Sequence, residues 1–195
     1  MAVKEKYKMK SWLEWPEDIK LRKASAIEKH RKELCEECTF HVFIQYQFFR
    51  QWGNLKQYAN GCGIRIIGDI PIYVAMDSAD AWANSDLFLL DEQKKPIEVS
   101  GCPPDAFSKT GQLWGNPLYR WDIMKEQDYD WWIRRLTFSA KLYDVTRIDH
   151  FRGFESYWAI PYGDKTAENG VWRKGPGTAL LERLEEKAGK IYLIA

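Results

Sequence analysis

The chain has 195 residues, enough for one domain with a hydrophobic core, and carries 29 basic against 28 acidic residues. A net charge of +1 gives no basic excess to favour nucleic acid, and no apolar run approaches the roughly 18 residues that cross a bilayer. The first residues lack the apolar core of a secretory signal. We therefore expect a cytoplasmic protein that binds neither nucleic acid nor a membrane.

Aromatic residues are abundant, with 10 Trp, 10 Tyr and 9 Phe. Some will fill the core, but flat rings also stack on the apolar faces of sugars while a polar edge forms hydrogen bonds. A high aromatic content in a chain of almost no net charge favours an uncharged ligand such as carbohydrate. The four cysteines include one CxxC, Cys35 and Cys38, without a second such pair, so we expect reduced thiols and no metal site.

The first half of the chain predicts two helices and a buried strand. One helix is expected over residues 16–38, and a second, with a broad apolar stripe, runs from 40 to a stop at Asn60-Gly61. The apolar run at 64–68 is of the buried-strand type. Residues 78–83 predict one or two helical turns, and residues 87–99 predict a small β-hairpin around a polar turn.

Residues 100–121 are predicted to form a long loop, since they contain three prolines, three glycines and no periodicity. Loops of this length inside compact domains are often lids or binding loops. The side chains in it that suit a sugar chain better than a core are Asp105, Phe107, Gln112, Trp114 and Asn116. A disordered linker is the alternative, but the aromatic content argues against it.

The stretch from 145 to 154 has the clearest chemistry in the chain. Apolar Val145 and Ile148 alternate with polar neighbours, which predicts a strand, and on a strand Arg147 and Asp149 point to the same face. A guanidinium beside a carboxylate holds it ionised and aimed, as a carboxylate nucleophile requires. The alternative is an ion pair that merely closes the strand, and these residues alone leave both open.

The surrounding segments complete an alternating pattern. A helix over 129–143, capped by Asp128, precedes this strand, and a polar loop over 163–177 follows it. Thr178 is expected to cap a further helix that Gly189 ends, before an apolar strand at 191–195. Strands that alternate with helices indicate βαβ units and a parallel sheet.

Long segments after the strands favour an α/β fold of the (β/α)8 TIM-barrel type, with its active site at the carboxyl ends of the strands. A complete barrel typically needs about 250 residues. We therefore expect residues 1–195 to be a partial catalytic (β/α) barrel domain with long βα-loop insertions, truncated at its C-terminus and missing early strands.

Several long motifs, in this order, resemble the 4-α-glucanotransferases, also called amylomaltases or disproportionating enzymes, of glycoside hydrolase family 77. The motifs are Gly68–Asp80, Pro103–Asp105, Thr110–Asp122 and Arg147–Phe154, with a weaker match at 174–177. Together they cover nearly everything from residue 38 to 195. The resemblance implies a transferase that moves α-1,4-glucan segments between maltodextrin chains by a retaining mechanism, without a metal or organic cofactor.

The resemblance also implies roles for individual residues. Asp149 matches the family's nucleophile, which forms a covalent glycosyl-enzyme intermediate, and Arg147 matches the arginine that orients it. The family's acid/base glutamate would directly follow Ala195, so we expect this fragment to be inactive by itself. General acid catalysis contributes about 10²–10⁴-fold, which is the scale of the expected loss.

The remaining matches concern substrate binding. Asp77 matches an aspartate near the donor sugar, and His150 is expected to line the same subsites. Trp114 and the loop over 105–116 match a loop that covers the acceptor side. Two other functions stay open: an α-amylase-type retaining hydrolase, and a non-catalytic fragment that only binds glucan. A chain that does not fold stably is a further alternative, because an incomplete barrel exposes strand edges.

Overall fold

The structure is a computed structural model that describes all 195 residues. It divides into two compact units, Met1–Ile64 and Arg65–Ala195. The first unit contains helices alone, whereas the second combines helices with two β-sheets. No helix combines the length and the apolar character that a membrane crossing requires.

The first unit is built around two buried aromatic and aliphatic side chains, Trp12 and Ile19. Its helices are α1 (Ala2–Lys6), α2 (Glu17–Lys20), α3 (Ala24–Glu33) and α4 (Cys35–Gly61). His30 is also buried, and both ring nitrogens are satisfied: Nδ1 donates to the carbonyl of Ala26 and Nε2 accepts from the Tyr7 hydroxyl, each at 2.8 Å. A buried histidine with both nitrogens paired is a structural residue.

The sequence predictions for this unit succeed in part. The single helix expected over 16–38 is wrong, because Arg22 takes a left-handed φ of 53° and Leu34 separates α3 from α4 with a φ of −109°. The helix expected to end at Asn60-Gly61 is confirmed as α4, which begins at Cys35. Its apolar stripe is exposed, and none of its residues is buried.

The second unit contains every strand of the chain. The strands are β1 (Ile67–Pro71), β2 (Glu98–Cys102), β3 (Gln112–Pro117), β4 (Val145–Asp149), β5 (Ser156–Pro161), β6 (Val171–Lys174) and β7 (Leu193–Ile194). The helices are α5 (Ala79–Ala83), α6 (Trp121–Glu126), α7 (Asp130–Leu142) and α8 (Thr178–Ala188). The mixed α/β class expected from the sequence is thereby confirmed.

A parallel sheet in the order β1-β4-β7 forms the base of this unit. The expected strands at 145–148 and 191–195 are confirmed, the latter in a shorter form, and all three strands are parallel. The strand expected at 64–68 lies three residues further on, because Gly68 does not end it. A Cβ on Gly68 would lie 2.0 Å from the Tyr143 ring, so the strand needs a glycine there. The sheet is open, and the described residues do not close a barrel.

A second, antiparallel sheet has the order β3-β2-β5-β6. It corrects two sequence predictions, since the expected loop over 100–121 contains the end of β2 and all of β3, and the expected loop over 163–177 contains β6. One of these strands, β2, pairs with β5, which lies far away in the sequence. Gly101 in β2 passes so close to β3 that a Cβ would lie 2.2 Å from the Gln112 carbonyl oxygen. The expected hairpin is present as a bridge between Leu90 and Pro96.

Two predicted helix caps are wrong, although their helices are confirmed. The residue before α7 is Tyr129, with a left-handed φ of 55° and no capping side chain. The Asp128 carboxylate instead accepts from Arg183 at 2.6 and 2.8 Å and pairs with Lys187 at 3.0 Å, which ties this turn to α8. Gly177, not Thr178, precedes α8, while Gly189 ends that helix as expected.

Candidate active site

The parallel pairing of β1 with β4 brings three charged side chains together. Asp69 lies opposite Arg147 in the register, and the alternation along β4 puts Asp149 on the same face as Arg147. Arg147 Nη1 donates to both carboxylate oxygens of Asp69, at 2.8 and 2.9 Å, and Nη2 donates to Asp149 Oδ1 at 2.7 Å. One guanidinium is therefore clamped between two carboxylates.

This clamp fixes the charge of Arg147 and the direction of the Asp149 carboxylate. The hydrogen bond that Arg147 donates to Asp149, followed by that to Asp69, raises the pKa of the Arg147 guanidinium above its already high ordinary value. Arg147 thus stays cationic at every working pH. Because Nη2 engages Asp149 through one oxygen, Oδ1, the second oxygen of that carboxylate remains for another role.

A cleft of about 520 Å³ adjoins the carboxyl ends of β1 and β4. Its lining residues are Pro71, Ile72, Tyr73, Ala75, Trp114, Asn116, Asp149 and His150. Four of the site residues named from the sequence, Trp114, Asn116, Asp149 and His150, therefore meet in one place. Trp114 and His150 are 36 positions apart in the sequence, so the fold brings them together. Asp149 is the single carboxylate in this lining.

His150 follows Asp149 with a left-handed φ of 58°, which turns its ring toward Trp114. The two rings meet edge to face, with centroids 4.8 Å apart. His150 Nε2 is buried without a hydrogen-bond partner in the protein. Burial lowers the pKa of His150, against the opposing effect of the Asp149 charge. Burial thus favours the neutral form of the imidazole.

Gly153 lets the parts of the cleft approach one another. A Cβ at this position would lie 2.7 Å from the end of the Ile72 side chain and 3.3 Å from the His150 ring.

Tyr73 also lines the cleft. Its ring stacks on Tyr119 with ring centroids 5.9 Å apart, and its hydroxyl is buried without a partner in the protein. Burial raises the pKa of Tyr73, so its phenol stays protonated.

Two of the predicted residues on β3 occupy this site in different ways. Asn116 lines the cleft, and its amide nitrogen donates to the Val74 carbonyl at 3.1 Å. Gln112 does not line the cleft; its side-chain oxygen accepts from Trp114 Nε1 at 3.0 Å and so holds the indole. The Gln112 side chain thus orients the Trp114 ring.

Besides Arg147 and Gln112, three further predicted residues lie outside the cleft lining. Asp105 Oδ1 accepts from the backbone N–H groups of Phe107 and Ser108 at 2.8 and 2.7 Å, so its carboxylate closes a turn. Phe107 projects from this turn and is 99% exposed. Asp77 is an exposed residue between β1 and α5. None of these three is among the residues that line the cleft with Asp149.

Sequence reasoning missed Asp69 and Tyr73. The sequence predicts a strand that ends at Gly68, which puts Asp69 outside the sheet and hides its pairing with Arg147. The signal that could have found it is a carboxylate in the strand neighbouring an arginine. Tyr73 belongs to an apolar run that indicates core, and its position in the cleft depends on the turn after β1.

No group of three or more His, Cys, Asp or Glu side chains could hold a metal ion, and all four cysteines are free. A charged clamp at the carboxyl ends of parallel strands, beside a cleft with aromatic side chains, is the place where α/β enzymes carry their active sites. The whole chain, residues 1–195, matches the Glyco_hydro_77 family, described as 4-alpha-glucanotransferase, and the chain belongs to this family.

Relatives in this family align with the entire chain. The 4-alpha-glucanotransferase of Clostridium butyricum is 56% identical over 196 residues, and that of Thermus thermophilus is 48% identical over 195 residues. The chain covers 40% and 39% of these two proteins, so it spans about two fifths of the length of its relatives.

Solved structures agree with the sequence comparison. Amylomaltase from Streptococcus agalactiae in complex with acarbose has a TM-score of 0.96 at 46% identity, covering 100% of this chain and 40% of that one. Amylomaltase from Corynebacterium glutamicum has a TM-score of 0.73 at 22% identity, covering 96% of this chain and 24% of that one, and shares the fold.

Proposed function

We propose that this chain supplies the nucleophile of a 4-α-glucanotransferase, which moves segments of α-1,4-glucan between maltodextrin chains with retention at the anomeric carbon. The observation that carries the proposal is the clamp at Arg147, which holds Asp149 Oδ1 at 2.7 Å at the edge of an aromatic cleft. Its relatives' shared name and the acarbose complex of the Streptococcus agalactiae enzyme support the same function.

In the proposed first step, Asp149 Oδ2 attacks the anomeric carbon of a glucosyl unit in the cleft. The bond from that carbon to the leaving oxygen breaks, and this oxygen takes a proton from an acid/base group. In the second step the 4-hydroxyl of an acceptor glucan gives its proton to the same acid/base group and attacks the anomeric carbon, and the bond from that carbon to Asp149 breaks. Arg147 holds the carboxylate ionised and aimed before the attack and stabilises it again when the acceptor releases it.

The sugar contacts follow from the cleft lining. We propose that the Trp114 ring stacks on a sugar face and that neutral His150 and the amide of Asn116 bond hydroxyl groups. For Asp77 we retain a role near the donor sugar, and for Asp105, Phe107 and Gln112 a role in a lid on the acceptor side. This lid would favour the acceptor over water as the second nucleophile.

A retaining mechanism needs a second carboxylate about 5–5.5 Å from the nucleophile. Asp149 is the single carboxylate of the cleft lining, and both oxygens of Asp69 are bonded to Arg147. We therefore expect the 195-residue chain to cleave maltodextrin poorly unless another acid/base group joins the site. In the whole protein we propose that β1, β4 and β7 belong to a (β/α)8 barrel, in a cytoplasmic protein without nucleic-acid or membrane partners.

The test uses a donor whose leaving group needs no proton. With α-maltotriosyl fluoride, the bond to fluorine breaks as Asp149 attacks, and fluoride leaves without acid assistance. We expect the chain to gain one maltotriosyl unit, located by peptide mass spectrometry on Asp149, and the Asp149→Asn variant to gain none. Asp91→Asn, a carboxylate change in the distant hairpin turn, should react like the wild type.

The same reaction separates the alternative functions. Azide, a nucleophile that needs no base, should release the adduct as α-maltotriosyl azide in a glucanotransferase or a retaining hydrolase alike. Adding maltose to the whole protein, which would supply the acid/base group, then distinguishes them, since a transferase gives longer glucans whereas a hydrolase gives free maltotriose. A chain that binds maltotriose but never forms the adduct would be a glucan-binding protein, and the proposal would fail.

A further inference from the structure

One peptide group connects α7 to the backbone of the proposed nucleophile. The carbonyl oxygen of Pro71 accepts from Arg135 Nη2 at 2.8 Å, and the N–H of Ile72, on the same peptide plane, donates to the carbonyl of Asp149 at 3.1 Å. Pro71 is also the register partner of Asp149. Because a peptide group is planar, holding its oxygen also fixes the direction of its N–H.

A second carbonyl strengthens this link. The oxygen of Ile72 accepts from the Tyr119 hydroxyl at 2.7 Å and from Arg135 Nη1 at 3.3 Å. Ile72 is 2% exposed and lines the cleft together with Pro71. Arg135 therefore holds two successive carbonyls where β1 enters the cleft, and hydrogen bonds in such a chain strengthen one another.

The guanidinium itself is held by flat rings. Its central carbon lies 4.8 Å from the centre of the Trp132 ring and 5.4 Å from that of Trp131. Its hydrogen-bond partners are carbonyl oxygens and not a carboxylate. A rigid fork that stacks on aromatic rings and donates from two nitrogens is specific to arginine, and lysine cannot reproduce it.

We propose that Arg135 is a positioning residue for Asp149. It acts through the Pro71–Ile72 peptide and sets the backbone from which the Asp149 carboxylate projects. The effect on catalysis rests on the proposed function, because a misplaced nucleophile slows the attack even when the substrate binds normally. The effect on the backbone does not depend on that function.

The neighbouring residue provides a matched control. Arg134 is an exposed arginine on the same helix, and it pairs with Asp130 at 2.9 Å. The variants Arg135→Met and Arg134→Met remove the same group from adjacent positions. Arg135→Lys keeps the charge without the fork, and Tyr119→Phe removes the other donor to the Ile72 carbonyl.

Amide hydrogen exchange in the 195-residue chain measures directly how firmly each backbone N–H is hydrogen-bonded. We expect Arg135→Met to speed exchange of the Ile72 amide about tenfold, since a hydrogen bond from a charged group is lost. The Thr146 amide, which donates to the Tyr192 carbonyl at 2.9 Å in the same sheet, is the internal reference. Its exchange should stay unchanged, because general destabilisation would speed both amides.

The other variants sharpen this comparison. Arg134→Met should leave both amides at wild-type rates, and Arg135→Lys should resemble Arg135→Met. Tyr119→Phe should give a smaller increase, because the Pro71 carbonyl keeps its partner. Equal acceleration of the Ile72 and Thr146 amides, or an Ile72 amide unaffected by Arg135→Met, would overturn the positioning role.

Adduct formation from α-maltotriosyl fluoride gives the functional readout. In Arg135→Met the rate constant at saturating donor should fall about 10- to 100-fold, with the half-saturating concentration nearly unchanged. A normal rate constant in this variant would overturn the proposal, provided that Asp149→Asn abolishes the reaction. If the wild type forms no adduct, the proposed function fails, whereas the Ile72 amide still decides the positioning role.

Discussion

Arg147 bonds both carboxylate oxygens of Asp69, its partner across the β1–β4 pair, at 2.8 and 2.9 Å. The same guanidinium reaches Asp149 with its other terminal nitrogen. Asp69 therefore decides where Arg147 sits, and Arg147 decides where the Asp149 carboxylate points. A carboxylate outside the cleft lining thus controls one inside it.

This relationship predicts that Asp69→Asn impairs the reaction without removing a reacting group. The amide has one acceptor oxygen in place of two and carries no charge, so Arg147 loses its anchor and Asp149 its direction. We expect adduct formation from α-maltotriosyl fluoride to slow about tenfold. Asp122→Asn, which breaks an exposed pair with Arg120, is the matched control and should have no effect. Equal rates for Asp69→Asn and the wild type would contradict the anchoring role.

The second prediction concerns the titration of His150. Burial lowers the pKa of its imidazole from 6.5, while Asp149 opposes and Arg152 assists that shift. The His150 ring signals in NMR should therefore titrate below pH 6.5, whereas an unperturbed histidine titrates near 6.5. Removal of the Asp149 charge by Asp149→Asn should lower the midpoint further.

The same shift predicts a pH dependence of stability. The unfolded chain binds the proton more readily than the folded one, so the free energy of unfolding falls as pH drops from about 6.5 towards the lower folded pKa. Above about pH 6.5 His150 is deprotonated in both the folded and the unfolded chain, so it no longer changes the free energy of unfolding with pH. Thermal unfolding of His150→Gln should lack this component of the acid dependence. A variant with the same pH profile as the wild type would show that His150 is not the group responsible.

The sequence predicts the parts of the fold whose signals are local. The periodic apolar residues of α7, the alternation around Arg147 and the glycine after α8 each depend on a few neighbouring residues, and each element is confirmed. The antiparallel sheet was missed because its strands are short and interrupted by glycine and proline. Their stability comes from pairing with strands far away in the chain, such as β2 with β5.

In the candidate site, too, some features follow from neighbouring residues and others depend on contacts between distant parts of the chain. Arg147 and Asp149 are two residues apart, so their shared face follows from strand geometry alone. Asp69 comes to them across a gap of 78 residues, which no local pattern reveals. Asp128 is a parallel case, because its position before a helix suggests a cap while Arg183 and Lys187 bind its carboxylate from another helix.

The third prediction tests the packing at Gly68. A Cβ there would lie 2.0 to 2.3 Å from three atoms of the Tyr143 ring, so Gly68→Ala forces the ring or the strand to move. We expect a loss of about 1–3 kcal/mol in the free energy of unfolding. The double variant Gly68→Ala with Tyr143→Ala should lose less than the two single changes combined. Gly53→Ala, where nothing lies within 4 Å, should be neutral or stabilising within α4.

The last prediction concerns the hydrogen bond that holds the Trp114 indole. Gln112→Met keeps the length of the side chain but removes the oxygen that accepts from Trp114 Nε1 at 3.0 Å. Because this indole is 37% exposed, water can replace the lost partner, and binding of acarbose should weaken only about two- to tenfold. Trp114→Ala removes the ring itself and should weaken binding further.

Trp172→Ala is the control for that series, measured by calorimetry under the same conditions. Trp172 is also exposed, at 45%, but its ring stacks under Arg152 and does not line the cleft. If Trp172→Ala weakens acarbose binding as much as Trp114→Ala, the sugar binds elsewhere on the aromatic surface. If Gln112→Met has no effect while Trp114→Ala does, the indole is oriented by its ring contacts with His150 and Tyr73.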